Sequence, residues 1–104
     1  MTQNPDKICK MMEDLGCTGT RVTTELIESR IVEVDYQTVE IAGQKMMFCG
    51  IRMDNGFVEV GEAAICIDPS NWRDEIGREI SYDKTFAKLW RLEAYRLMSD
   101  RMEK

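Results

Sequence analysis

A chain of 104 residues with 43% apolar and 32% charged side chains has the composition of one folded domain, not of a disordered segment. Its net charge of −5 is uneven: residues 1–69 carry six basic and twelve acidic side chains, whereas residues 70–104 carry eight and seven. The first two-thirds therefore lack the basic stripe of a nucleic-acid binder, no apolar run reaches the roughly 18 residues of a membrane span, and Met1-Thr2-Gln3-Asn4-Pro5-Asp6 is no signal peptide. No nucleic-acid partner, no membrane partner and a cytoplasmic location are expected.

The first predicted helix is well punctuated. Asn4 suits the cap, Pro5 the first helical position and Gly16 the stop, and Ile8, Met11, Met12 and Leu15 fall on one face. Residues 17–20 read as a linker, so residues 1–20 form an N-terminal helix and linker ahead of a domain at 21–104. A second, short helix begins at Val22-Thr23-Thr24-Glu25. Thr23 caps it, Glu25 meets the positive end of its dipole, and Val22 staples against Ile27. Residues 32–41, rich in Val, Ile, Tyr and Thr, read as a strand, with a turn at Ala42-Gly43-Gln44.

Two further strands, 45–53 and 57–67, flank Asp54-Asn55-Gly56. Asn-Gly predicts a two-residue type I′ turn with positive φ at both positions. That register sets Met53 opposite Val58 and Ile51 opposite Val60 on the core face, with an Arg52–Glu59 pair behind. One extra residue near Gly61-Glu62, a β-bulge, then brings Ala63, Ile65 and Ile67 inward beside Cys49 and Met47. Met46 and Phe48 fall on the opposite face, which calls for cover by the first helix or another subunit.

Asp68-Pro69 predicts a capped helix start. Trp72, Ile76 and Ile80 recur every fourth residue, and Phe86, Leu89, Trp90, Tyr95, Leu97 and Met98 continue the apolar content. One helix over 69–102 would be about 50 Å long, too long for a compact domain of this size. A break is expected at Ser81-Tyr82 or near Trp90-Arg91. The fold class is α+β: N-terminal helices, a three-stranded antiparallel meander and a broken C-terminal helix packed on one face. A sheet this small has edges that invite pairing, so a homodimer is expected.

The series Asn55-Gly56-Phe57, Gly61-Glu62-Ala63-Ala64, Asp68-Pro69, Glu75-Ile76-Gly77-Arg78 and Trp90 resembles a widespread family of small tailed-bacteriophage proteins. Its pattern runs from Asn-Gly-Phe through Gly-Glu-Ser-Ala-Cys-Val-Asp-Pro to Glu-Ile-Gly-Arg and a Trp-rich helix. The resemblance extends from about Val22 to Leu97. Here one residue more separates Gly61-Glu62 from Asp68-Pro69, and Arg91 stands where family members commonly carry proline. The resemblance implies a phage origin, action in the host bacterial cytoplasm, and no settled activity.

Catalytic residues are scarce. The chain contains no histidine, so Ser-His and Cys-His nucleophiles are excluded. Its four cysteines, at 9, 17, 49 and 66, form no Cys-x-x-Cys pair and read as reduced apolar residues. Neither a metal nor a cofactor is expected. Binding is better supplied: Asn71 and Trp72 beside the Asp68 cap offer an amide and a stacking ring, and Lys84, Lys88 and Arg91 form a local basic cluster suited to phosphates. Three readings follow. The first is a non-catalytic phage accessory protein that binds a host component during infection, in host takeover or counter-defence. The second is a sponge that sequesters a nucleotide immune signal through Asn71, Trp72, Lys84, Lys88 and Arg91. The third is a small metal-dependent phosphoesterase.

Overall fold

The computed structural model describes residues 5–15 and 21–102. The Asn4 cap, the Gly16 stop and the 17–20 linker lie outside the described residues, as do the side chains of Cys9 and Met12. The elements in chain order are α1 (Pro5–Asp14), α2 (Thr24–Ser29), β1 (Ile31–Ile41), β2 (Gln44–Met53), β3 (Val58–Val60), β4 (Ala64–Ile65), a single 3-10 turn (Pro69–Asn71) and α3 (Asp74–Met102). The fold is α+β. β2 is central, β1 pairs with it on one side, and β3 and β4 pair with it on the other, all antiparallel. β3 and β4 are one interrupted third strand of a meander.

α2 starts as its sequence dictates. The Thr23 side chain accepts from the Leu26 N–H at 3.1 Å, and Val22 and Ile27 both pack into the core. That core comprises Ile27, Cys49, Ile51, Met53 and Leu89, flanked by Val22, Ile31, Tyr36, Tyr82, Phe86 and Trp90. It lies between α3 and one face of the sheet.

The first hairpin turns where its sequence places the turn, and the second uses a different turn from the one that Asn-Gly predicts. The type I′ signature, positive φ at both loop residues, occurs at Ala42 (φ 54) and Gly43 (φ 79), between the paired Ile41 and Gln44. At the second hairpin Gly56 alone has positive φ (91), and Met53 pairs with Phe57 through an N–H···O bond of 2.8 Å, leaving a three-residue loop. Asp54 explains the longer loop. Its N–H donates to the Arg30 carbonyl at 2.7 Å, and its carboxylate faces Arg30 and Arg96, each at 4.0 Å. Asn55 takes the Phe57 N–H on its side chain at 3.0 Å.

This loop shifts the register by one residue from the expected one. Arg52 stands opposite Val58, Ile51 opposite Glu59 and Gly50 opposite Val60. The expected Arg52–Glu59 pair is therefore absent. Arg52 instead pairs with Glu33 at 3.5 Å, and Val58 and Val60 turn to the face away from α3. The extra residue before Asp68 is real: between the Gly50/Val60 and Met47/Ala64 pairs, two β2 residues face three, Gly61, Glu62 and Ala63. Because the hairpin starts one residue out, the bulge delivers Ala64 to the core in place of Ala63, and Ile65 and Ile67 stay exposed.

Ala42 carries a strain that the loop does not need. A side chain with Cβ costs about 1–2 kcal/mol in the left-handed region, which Asn tolerates far better. Ala42→Asn should therefore stabilise by roughly 0.5–1 kcal/mol. A melting temperature equal to or below that of the wild type would show that Ala42 is already relaxed.

α3 corrects the expectation of a broken helix. It runs without interruption for 29 residues, about 43 Å. The interruption lies earlier. The Asp68-capped segment is one 3-10 turn that ends at Trp72 (φ −63, ψ 132), and α3 begins afresh at Asp74. Compactness is what gives way: the radius of gyration is 16.3 Å and the molecule measures 51 × 32 × 19 Å, against about 13 Å for a compact chain of this size.

The face α3 buries is Gly77, Ser81, Thr85, Leu89 and Glu93, every fourth residue. Ile76 and Ile80, which the apolar repeat singled out, are exposed. Small residues let the helix approach the sheet closely. A Cβ on Gly77 would lie 3.4 Å from Met47 and the Trp72 ring, and one on Gly61 would lie 2.7 Å from the Thr85 backbone. The Thr85 hydroxyl enters the gap between β2 and the bulge. It accepts from the Gly61 N–H at 3.0 Å and donates to the Cys49 carbonyl at 2.8 Å. It thus replaces the ladder bond that the bulge removes. At the far end Glu93, nearly buried, meets Arg30 at 3.2 Å and Arg96 at 3.9 Å, tying α2, the second hairpin and α3 together.

Candidate functional site

The residues singled out for anion binding do not converge within one chain. The Trp72 indole N–H donates to Asp74 at 2.7 Å, Lys45 sits 4.6 Å from the ring centroid, and the ring rests against Gly77. This fixes Trp72 at the start of α3. Asn71 is exposed at the end of the 3-10 turn. Lys84 donates to the Ala63 carbonyl at 3.0 Å, holding the bulge. Lys88 and Arg91 continue that flank of α3 as exposed cations with no ion pair among the described residues. About 21 Å of helix rise separates Asp74 from Lys88, because α3 is unbroken. The Asp68 carboxyl is held below its usual range by the Ser70 N–H and hydroxyl, both local to the turn. Those donors serve Asp68 and are not turned to a ligand.

A different surface has the shape of a site. Side chains alternate along the strands, so the face away from α3 presents Glu33, Asp35 and Gln37 from β1, Met46, Phe48, Gly50 and Arg52 from β2, Val58 and Val60 from β3, and Ile65 from β4. Val58, Val60 and Ile65 are 44%, 48% and 54% exposed. Over Gly50 the face is concave: a groove of about 300 Å³ is lined by Glu33, Asp35, Gln37, Phe48, Gly50, Arg52, Val58 and Val60. Gly50 forms its floor, since a side chain there would rise into the space beside Val60, 3.7 Å from a Cβ.

The groove's electrostatics are simple. Glu33 and Arg52 are paired across the strands, and the Asp35 carboxylate accepts the Tyr36 N–H at 2.9 Å. An apolar floor with one ion pair and one further acid at its rim suits a protein or peptide surface better than a reaction. Met46 and Phe48 had marked this face in the sequence. Val58 and Val60 were missed because the one-residue hairpin shift turned them outward.

The other chemical candidates are quiet. Cys49 and Cys66 are free thiols, and burial pushes the Cys49 thiol up, which keeps it neutral inside the core. Cys17, like the Cys9 side chain, lies outside the described residues. Among the described residues no group of three or more Cys, Asp or Glu is placed to hold a metal ion, and no helix is long and apolar enough to cross a membrane.

No curated protein and no solved structure matches the chain. One family model does, over residues 22–100, which takes in α2, the whole sheet and nearly all of α3. With most of its length matched, the chain belongs to the phage protein (N4 Gp49/phage Sf6 gene 66) family.

Proposed function

We propose that this phage protein acts without catalysis, by binding a host component through the outer face of its sheet during infection, in host takeover or counter-defence. The observation that carries the reading is the apolar groove over Gly50, walled by Phe48, Val58 and Val60 and uncovered among the described residues. A contiguous apolar surface with a polar rim is costly to leave in water and marks an interaction site. The non-catalytic part rests on a chain without histidine and on a groove whose Glu33 and Arg52 neutralise one another.

The test is complementation of a phage lacking the gene. Phe48→Asp sets a charge on the outer face while leaving the core untouched. It should fail to restore plaque formation on a host that requires the gene, while still unfolding in one cooperative transition. Phe48 is half-buried on that face, so the stability cost stays in the ordinary range of single substitutions, about 1–3 kcal/mol. Full complementation by a folded Phe48→Asp protein would overturn the reading.

A second reading, a nucleotide sponge, is favoured by Lys88 and Arg91, which stand unpaired among the described residues and four to seven positions beyond Lys84 on α3. Asn71 and Trp72 lie too far along the molecule to share their ligand unless a second copy contributes. A melting temperature raised by cyclic or linear nucleotides in the wild type, and not in Lys88→Ala/Arg91→Ala, would favour this reading. No shift in either protein would remove it.

A further inference from the structure

The free edge of β1 has a chemistry of its own. Met53 donates to Phe57, so the odd-numbered residues of β2 direct their backbone groups to β3 and the even-numbered ones to β1. The β1 residues opposite those even positions are Glu33, Asp35, Gln37, Val39 and Ile41. Val34, Tyr36, Thr38 and Glu40 therefore point their N–H and C=O groups away from the sheet, and among the described residues no strand pairs with them. Long unpaired edges accept added strands unless something blocks them.

Here the block is a carboxylate. Asp35 Oδ1 accepts the outward Tyr36 N–H at 2.9 Å. The opposite edge repeats the device, with Glu59 Oε1 taking the Val60 N–H at 3.2 Å. β1 also carries Glu33 and Glu40 and no basic residue, and Arg52 balances Glu33 alone. A second copy pairing through β1 would bring acidic strand against acidic strand. A strand of opposite charge meets no such repulsion.

We propose that the β1 edge takes an added strand from a partner protein, an extended segment in which Lys or Arg alternates with apolar residues, with one base opposite Asp35. The base draws the Asp35 carboxylate off Tyr36, and the freed N–H donates to a carbonyl of the incoming strand. An acidic strand is repelled, and a neutral one must displace Asp35 without replacing its partner. The added strand forms the missing wall of the groove, beside Glu33, Asp35 and Gln37. This deepens the host-binding reading and rests on it.

Fluorescence anisotropy with synthetic peptides tests the proposal. An alternating Lys-Val peptide should bind about tenfold more tightly than its Glu-Val counterpart, and more weakly as salt rises. N-methylation of alternate residues on its pairing edge should abolish binding. Thr38→Pro removes an outward N–H at a position where an edge strand tolerates proline, and should abolish it too. Asp35→Asn should lose most of the preference for lysine-rich over neutral peptides, leaving the smaller part that Glu40 supplies. Equal binding of the Lys-Val and Glu-Val peptides, survival of binding on N-methylation, or an undiminished preference in Asp35→Asn would each overturn the proposal. So would a dimer of the wild type that Thr38→Pro dissolves, since the occupant would then be a second copy. If Thr38→Pro folds and complements the phage while Phe48→Asp does not, the edge is excluded and the outer-face reading stands.

Discussion

Gly61→Ala should cost about 2–3 kcal/mol, the scale of forced overpacking in a core, and lower the melting temperature by on the order of 10 °C or more. The cause is space, not backbone angle: a Cβ on Gly61 would lie 2.7 Å from the Thr85 Cα, backbone N and Oγ1 together. Two of those three atoms are main chain in the middle of α3, so no side-chain rotation relieves the clash. The helix must lift from the bulge, or the bulge must leave β2, and either move loosens the Leu89 and Cys49 packing beside it. Thr85→Ala removes the Oγ1 contact alone. In that background the second substitution, Gly61→Ala, should still cost most of its original amount. A Gly61→Ala cost that disappears in the Thr85→Ala background, or a Gly61→Ala protein that melts with the wild type, would show that the α3 backbone does not sit this close. Gly77 is the control. Its Cβ would meet side-chain atoms of Met47 and Trp72 at 3.4 Å, which can shift, so Gly77→Ala should be milder.

That close approach explains what the sequence shows and what it hides. The Thr23 cap, the strand expected at 32–41 and the extra residue before Asp68 are local signals, and each is present in the fold, with Val22 packed against the core that holds Ile27. The turn at Asp54-Asn55-Gly56 is not local. Its loop length follows from Arg30 and Arg96, which hold Asp54 from α2 and α3. The one-residue error there reverses every side chain that follows, which is why Val58, Val60 and Ile65 were placed in the core and stand outside it. The buried row of α3 is also invisible to hydrophobic periodicity, because Gly77, Ser81 and Thr85 carry little apolar surface. Ile76 and Ile80 carry the periodic signal and face solvent. The break expected in α3 came from a compactness argument, and nothing local supplied one: no Pro or Gly interrupts residues 78–102. The outer face was half legible through Met46 and Phe48. The groove over Gly50 needed the true register.

Thr85→Val should cost on the order of 2–4 kcal/mol although it changes neither shape nor volume appreciably. The Thr85 hydroxyl is fully buried and sits between two backbone groups that the bulge has separated, the Gly61 N–H and the Cys49 carbonyl. Valine satisfies neither, and each buried group left without a partner costs about 1–3 kcal/mol. A hydroxyl can accept one bond and donate another, which is what the site requires, and the Ser81 carbonyl at 3.0 Å is a second acceptor for its proton. Thr85→Ser separates this from packing. Serine keeps both bonds and loses one methyl, so it should cost about 1 kcal/mol. Hydrogen exchange supplies the local readout. The Gly61 amide should exchange far faster in Thr85→Val than in the wild type, and Thr85→Ser should keep its protection. Equal Gly61 protection in all three proteins would mean that water or backbone closes the gap unaided. The hydroxyl would then not be the link that seats α3 on the bulged strand, and the outer-face groove on the other side of that strand would owe its shape to the sheet alone.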